Sequence, residues 1–107
     1  MEKKPHFKAT LMYLTTEDGG IVTPVSSGFR IVIRFPYGNQ ECMANQTFLD
    51  QELVFPGDTV VADLIFLNAD EMSEKIYEGM DFELLINSNI IGSGLVTEKY
   101  PTEDKTD

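Results

Sequence analysis

Between residues 29 and 35 apolar side chains (Phe29, Ile31, Ile33, Phe35) alternate with Arg30, Val32 and Arg34. A period of two places successive side chains on opposite faces of a strand, so one face here is apolar and the other carries two arginines. Residues 7–15 repeat the pattern, with Phe7, Ala9, Leu11 and Tyr13 on one face. Residues 59–67 are rich in β-branched types and read as another strand, with Val60, Ala62, Leu64 and Phe66 inward and Val61, Asp63, Ile65 and Leu67 outward. Residues 82–87 and 90–97 read as two more, and residues 40–45 give a weaker signal.

Turn chemistry separates these segments. Glu17-Asp18-Gly19-Gly20 and Pro36-Tyr37-Gly38-Asn39 interrupt the alternation, and Thr23-Pro24 marks an irregular connection. Phe55-Pro56-Gly57-Asp58 combines a proline, which fixes φ at the second position of a β-turn, with a glycine free to take positive φ at the third. Asn87-Ser88-Asn89 turns the last two strands into a hairpin. Residues 68–75 form a longer polar loop, and residues 70–77 have room for one helical turn. No segment carries an amphipathic helical period. About six short, regularly spaced strands predict an all-β domain, an antiparallel barrel or sandwich. Its core draws on Phe29, Ile31, Ile33, Phe35, Leu64, Phe66, Phe82, Leu84 and Ile86. With 107 residues, the chain can bury one core and is too short for two. The expected layout is a leader at 1–6, one barrel at 7–99 and a polar tail at 100–107.

Charge narrows the partners. Eight Lys and Arg stand against 18 Asp and Glu, a net charge of -10, with a pI near 4.3. A polyanion is repelled at long range, because phosphate binding draws its affinity from positive charge. RNA contact would fall to Lys3, Lys4, Lys8, Arg30 and Arg34, and is expected to be weak and salt-sensitive.

Candidate chemistry is sparse. No Lys follows a Gly, so there is no phosphate-cradling loop, and neither nucleotide binding nor GTP hydrolysis is expected. His6 and Cys42 are the only soft ligands, fewer than zinc takes, and Asp70, Glu71 and Glu74 lack calcium-loop spacing. Cys42 with His6 is the only conceivable thiol and base pair, and a buried, inert cysteine is the commoner outcome. Gly19-Gly20 and Gly92-Ser93-Gly94 read as turn or close-packing features. We therefore expect a non-enzymatic chain without cofactor or metal. The absence of an apolar run of ~18 residues, of an apolar signal region and of paired cysteines points to a cytoplasmic protein with no membrane contact. The opening Met1 favours an independent chain.

Several segments, in order, resemble a known family. Phe7-Lys8-Ala9 through Tyr13-Leu14, then Glu17-Asp18-Gly19-Gly20, Thr23-Pro24 and Gly28-Phe29-Arg30 resemble the start of the C-terminal barrel, domain III, of translation elongation factor Tu. Val54-Phe55-Pro56-Gly57-Asp58 is similar to its Met-Pro-Gly-Asp turn. Gly79-Met80-Asp81-Phe82 with Ile91-Gly92-Ser93-Gly94-Leu95-Val96 is similar to its closing hairpin. The resemblance covers residues 4–98 and implies a six-stranded antiparallel barrel without the GTPase domain. In that family the barrel helps hold the T-stem of aminoacyl-tRNA and packs against the GTPase domain. At positions where the family presents groups to RNA this chain has Ile21, Ile31-Val32 and Asn89, which counts against tRNA binding. Arg30 matches the family, with pairing to a surface acid as its alternative role.

Outward apolar residues suggest another use. Val32, Val61, Ile65, Leu67 and Leu85 all fall on the outward parity of their strands, and a contiguous exposed apolar patch marks an interface. A stand-alone copy of a barrel that is docked in its family would inherit surface made to be covered. The expected function is a non-catalytic binding module, engaging a protein or a second copy of itself, as a mimic or regulator in translation. The alternative is a tRNA- or ribosome-associated module using Lys8, Arg30 and Arg34. The loop at 68–75 or the leader folding over the same surface is the structural alternative to an interface.

Overall fold

The computed structural model of the chain describes residues 5–35, 41–67 and 75–100. They form eight strands: β1 (Phe7–Tyr13), β2 (Val25–Ser26), β3 (Arg30–Arg34), β4 (Glu41–Phe48), β5 (Leu53–Val54), β6 (Thr59–Phe66), β7 (Asp81–Ile86) and β8 (Asn89–Lys99). Six close into a barrel in the order β1-β6-β4-β3-β7-β8, with β8 returning to β1 and every pairing antiparallel. β2 and β5 pair separately. The expected all-β, six-stranded antiparallel barrel is the architecture found.

Alternation makes closure possible, because one parity of each strand fills the interior. Phe7, Ala9, Leu11 and Tyr13 of β1 are buried, as are Ile31 and Ile33 of β3, Cys42, Ala44 and Phe48 of β4, Val60, Ala62, Leu64 and Phe66 of β6, and Phe82 and Leu84 of β7. Of the nine predicted core residues seven are buried, while Phe29 and Ile86 are partly buried and pack against the core. The aromatic rings gather in tilted pairs: Phe7 lies 5.5 Å from Phe66 and 5.8 Å from Phe82, and Phe35 lies 6.3 Å and 5.9 Å from the same two. Such offset geometry suits ring quadrupoles. Gly94 pairs with Phe82, and a Cβ at position 94 would run into the Phe82 ring. A Cβ at Gly92 would lie 2.6 Å from the Met12 carbonyl oxygen. Both glycines of Gly92-Ser93-Gly94 thus serve close packing.

The paired β2 and β5 fall where the sequence pattern marks no strand, and three further elements differ from it. β4 continues to Phe48, past the weakly marked segment; the alternation hides this because a polar residue, Gln46, occupies an inward position. Gln46 is fully buried; its Oε1 accepts a 2.6 Å hydrogen bond from the Tyr13 hydroxyl, and its Nε2 has no partner among the described residues. β8 is longer than expected and carries two irregularities. Its partner position jumps from Gly92 to Ile90 between Leu84 and Leu85, and from Glu98 to Val96 between Lys8 and Ala9, leaving Ile91 and Thr97 as extra residues. The turn at 17–20 holds one 3-10 turn, Thr16–Asp18, capped by the Thr15 side chain and ended by Gly19 at φ 98°.

The chain flanking the barrel is tied to it. The His6 N–H donates to the Leu64 carbonyl at 2.8 Å, its Nδ1 accepts from the Phe66 N–H at 3.0 Å, and its carbonyl accepts from the Tyr100 N–H at 3.1 Å. The turn expected at 36–39, residues 68–74 of the polar loop with Asp70, Glu71 and Glu74, the leader lysines Lys3 and Lys4, and the tail from 101 lie outside the described residues.

Two stability predictions follow from the backbone. Phe82 is held between Phe7 and Phe35, so its ring has nowhere to retreat from a methyl group, and Gly94→Ala should cost ~1–3 kcal/mol in denaturant unfolding. Conversely, Asn87 and Ser88 both have positive φ, 53° and 70°, as a two-residue hairpin with a mirror-image turn requires. Glycine takes that conformation without a Cβ penalty, so Ser88→Gly should stabilise the fold by ~0.5–1 kcal/mol. An unchanged or lower unfolding midpoint would show that Ser88 carries no strain.

Candidate functional site

Strand register brings outward side chains into rows. Val32 pairs with Met43 of β4 on one side and with Leu85 of β7 on the other, and Leu85 pairs with Ile90 of β8. The Leu67 N–H donates to the Met43 carbonyl at 2.8 Å, which adds the end of β6. Leu67, Met43, Val32, Leu85 and Ile90 therefore form one apolar row across neighbouring strands. Met43 and Ile90 are absent from the sequence-derived set, Met43 because its strand is weakly marked. Ile90 was accessible to reasoning: a two-residue turn at Asn87-Ser88 sets Ile86 opposite Asn89 and Leu85 opposite Ile90.

The remaining sequence candidates fall at the margin or away from it. Ile65 lies two residues from Leu67 on β6, next to Asn45, which pairs onward with Arg30. Val61 is separated from Ile65 by Asp63; it pairs with Thr10, and its carbonyl accepts from the N–H of the exposed Leu49 at 3.0 Å. Leu85 requires a correction. It is only 2% exposed although it stands outside the interior cluster, so it cannot itself meet a partner. Alternation fixes the face of a side chain, not its access to water, and Leu85 has Val32 and Ile90 directly to either side. The accessible members are Ile90, 41% exposed, and the half-buried Val32, Met43, Ile65 and Leu67.

A second, polar row runs beside the first, two residues along β4, β3 and β7. Arg34 pairs in register with Glu41 and with Glu83, Glu83 with Ser93, and Ser93 with Met12. The Arg34 Nε and Nη2 donate to Glu83 Oε1 at 2.9 and 2.7 Å, and Nη1 lies 3.8 Å from Glu41 Oε2. A cleft of about 630 Å³ opens here, lined by Met12, Arg34, Phe35, Asp81, Phe82, Glu83, Ser93 and Gly94.

The basic residues do not converge. Lys8 pairs with Glu98 at 3.5 Å and stands in register with Asp63. Arg34 is held by its two glutamates. Arg30 is exposed and makes no ion pair among the described residues. In the closed order β1 and β3 are three strands apart whichever way round the barrel is followed, so Lys8 faces away from both arginines. Cys42 faces the interior opposite Ile33 and is buried. Among the described residues no three His, Cys, Asp or Glu side chains gather as metal ligands, and no helix is long and apolar enough to cross a membrane. No family model matches the chain.

Two tyrosines carry the clearest electrostatic signature. The Tyr100 hydroxyl donates to Asp63 Oδ1 at 2.7 Å. Desolvation first, then that hydrogen bond and the Asp63 and Glu98 charges, raise its pKa from 10.0 to about 12. Burial drives Tyr13 above its ordinary range, partly offset by the bond to Gln46. A raised phenol pKa gives stability that is complete below the unfolded value and is lost as pH rises through the folded one. Absorbance titration near 295 nm should therefore show Tyr100 ionising near pH 12, and Tyr13 only as the fold gives way. In Asp63→Asn the Tyr100 midpoint should fall toward 10; an unmoved midpoint would rule out the pairing.

Proposed function

We propose that this chain is a non-catalytic binding module that docks another protein against the outer row through Leu67, Met43, Val32 and Ile90, which flank the buried Leu85, with Ile65 at its margin. The observation that carries this reading is the register itself, which sets five apolar side chains from five neighbouring strands side by side on the outside of the barrel. Scattered surface hydrophobes mean little, whereas a contiguous apolar strip favours an interface. The closed barrel leaves the partner no long strand edge to extend, so recognition falls to side chains. The closed six-stranded barrel is also the fold that the resemblance to elongation factor Tu domain III implies. That resemblance supports a translation component as the partner, with this chain as mimic or regulator.

Ile65→Lys and Ile90→Lys, checked for native circular dichroism, test the reading by sedimentation over a concentration series and by capture of partners from cell extract. Each substitution should abolish the association seen with the parent chain. A monomer at every concentration, with no captured protein lost on either substitution, would defeat the proposal. The same preparations should show only weak tRNA retention that disappears at physiological salt, since Lys8 and Arg34 are already engaged by acids. Tight retention at that salt would favour the RNA-binding alternative.

A further inference from the structure

We propose that the partner presents a basic surface, with a Lys or Arg side chain entering the cleft over Ser93 and Gly94 while neighbouring apolar groups cover the Val32–Ile90 row. The apolar half of this inference rests on the docking reading above; the cleft stands on its own geometry.

The cleft exists because β8 carries a small residue, Ser93, on its outer face where its neighbours carry longer side chains. Ser93 stands between Met12 and Glu83, and Gly94 stands opposite Phe82. Its accessible apolar wall is Met12, 43% exposed, while Phe35 and Phe82 border it from beneath with their rings turned into the core. Its charge comes from Asp81 and Glu83, with Glu41 next in the row. Against these three carboxylates stands one guanidinium, Arg34, and Glu83 already holds it. Asp81 makes no ion pair among the described residues. A cleft with one apolar wall, Met12, and an acidic rim matches a long cationic side chain, whose methylene stem lies against that wall while its head stays with the carboxylates. An acidic segment would meet like charge. A second copy would do so as well, bringing another net charge of -10 and the same acidic row. The polar and apolar rows lie two residues apart along β3, β4 and β7, a spacing of ~7 Å. The partner must therefore offer apolar and basic side chains about that far apart.

Fluorescence anisotropy with the full chain and two synthetic peptides, one alternating Leu with Lys and one alternating Leu with Glu, tests this at physiological salt. The Lys peptide should bind at least about tenfold more tightly than the Glu peptide. Ser93→Leu, which fills the cleft, and Asp81→Asn should each weaken it about fivefold, while Glu17→Gln, in the remote 3-10 turn, should leave it unchanged. Equal losses in Asp81→Asn and Glu17→Gln would mean diffuse attraction by net charge and would overturn the inference. So would equal affinity for the two peptides. Indifference to Ser93→Leu and Asp81→Asn with loss on Ile90→Ser would overturn the cleft and leave the apolar docking reading standing. Loss on the first two with none on Ile90→Ser would uphold the cleft and overturn that reading instead. A stable dimer in sedimentation that Ile90→Ser dissolves would make the occupant a second copy and overturn the basic partner.

Discussion

β8 pairs with β7 along one side and with β1 along the other, and that second pairing turns a sheet into a closed barrel. Closure satisfies the backbone hydrogen bonds that an open sheet would leave on its edges. It also fixes the interior volume, which must be filled by one parity of six strands at once. The filling works by setting small residues opposite large ones: Ala44 opposite Phe66, Ala62 opposite Phe48 and Gly94 opposite Phe82. Where the interior admits a polar residue, Gln46, one end of its amide is held by Tyr13 and the other has no partner among the described residues. A buried orphan donor of this kind costs stability.

Charge on the outer wall follows the same register. Lys8 lies between Asp63 and Glu98, and Arg34 between Glu41 and Glu83, each cation flanked on both neighbouring strands by acids. Opposite charges directly across a sheet add modestly to pairing. Their larger effect is to cancel the positive potential that RNA would need. An excess of carboxylate remains beside the apolar row, the feature on which the proposal of a basic protein partner rests.

Much of the barrel was legible in the sequence because strand alternation is a local signal. The inward sets of β1, β3 and β6 and the hairpin at Asn87-Ser88 depend only on neighbours in the chain. β4 was under-read because Gln46 breaks its pattern, and its burial depends on Tyr13, thirty-three residues away. Leu85 was read on the correct face but not at its true exposure, which depends on residues from other strands. Met43 joined the row only once the pairing of β4 with β3 was known. The cleft was invisible for the same reason: Gly92-Ser93-Gly94 announces close packing, yet only the register shows that Ser93 sits between Met12 and Glu83.

The bulge at Ile91 links core and surface most directly. Counting back from the hairpin without it, Leu84 would face Ile91, Glu83 would face Gly92 and Phe82 would face Ser93. Paired residues share a face, so Ser93 would point inward under the Phe82 ring and Gly92 would lie outside. The extra residue shifts the count by one, bringing Leu84 to Gly92, Glu83 to Ser93 and Phe82 to Gly94. A one-residue shift exchanges every side chain between faces, and here it does two things together. It puts the residue without a side chain beneath Phe82, where nothing larger fits, and it puts Ser93 outside beside Glu83, where a small side chain leaves the cleft open. The irregularity that lets the interior pack is therefore the same one that shapes the acidic groove beside the apolar row.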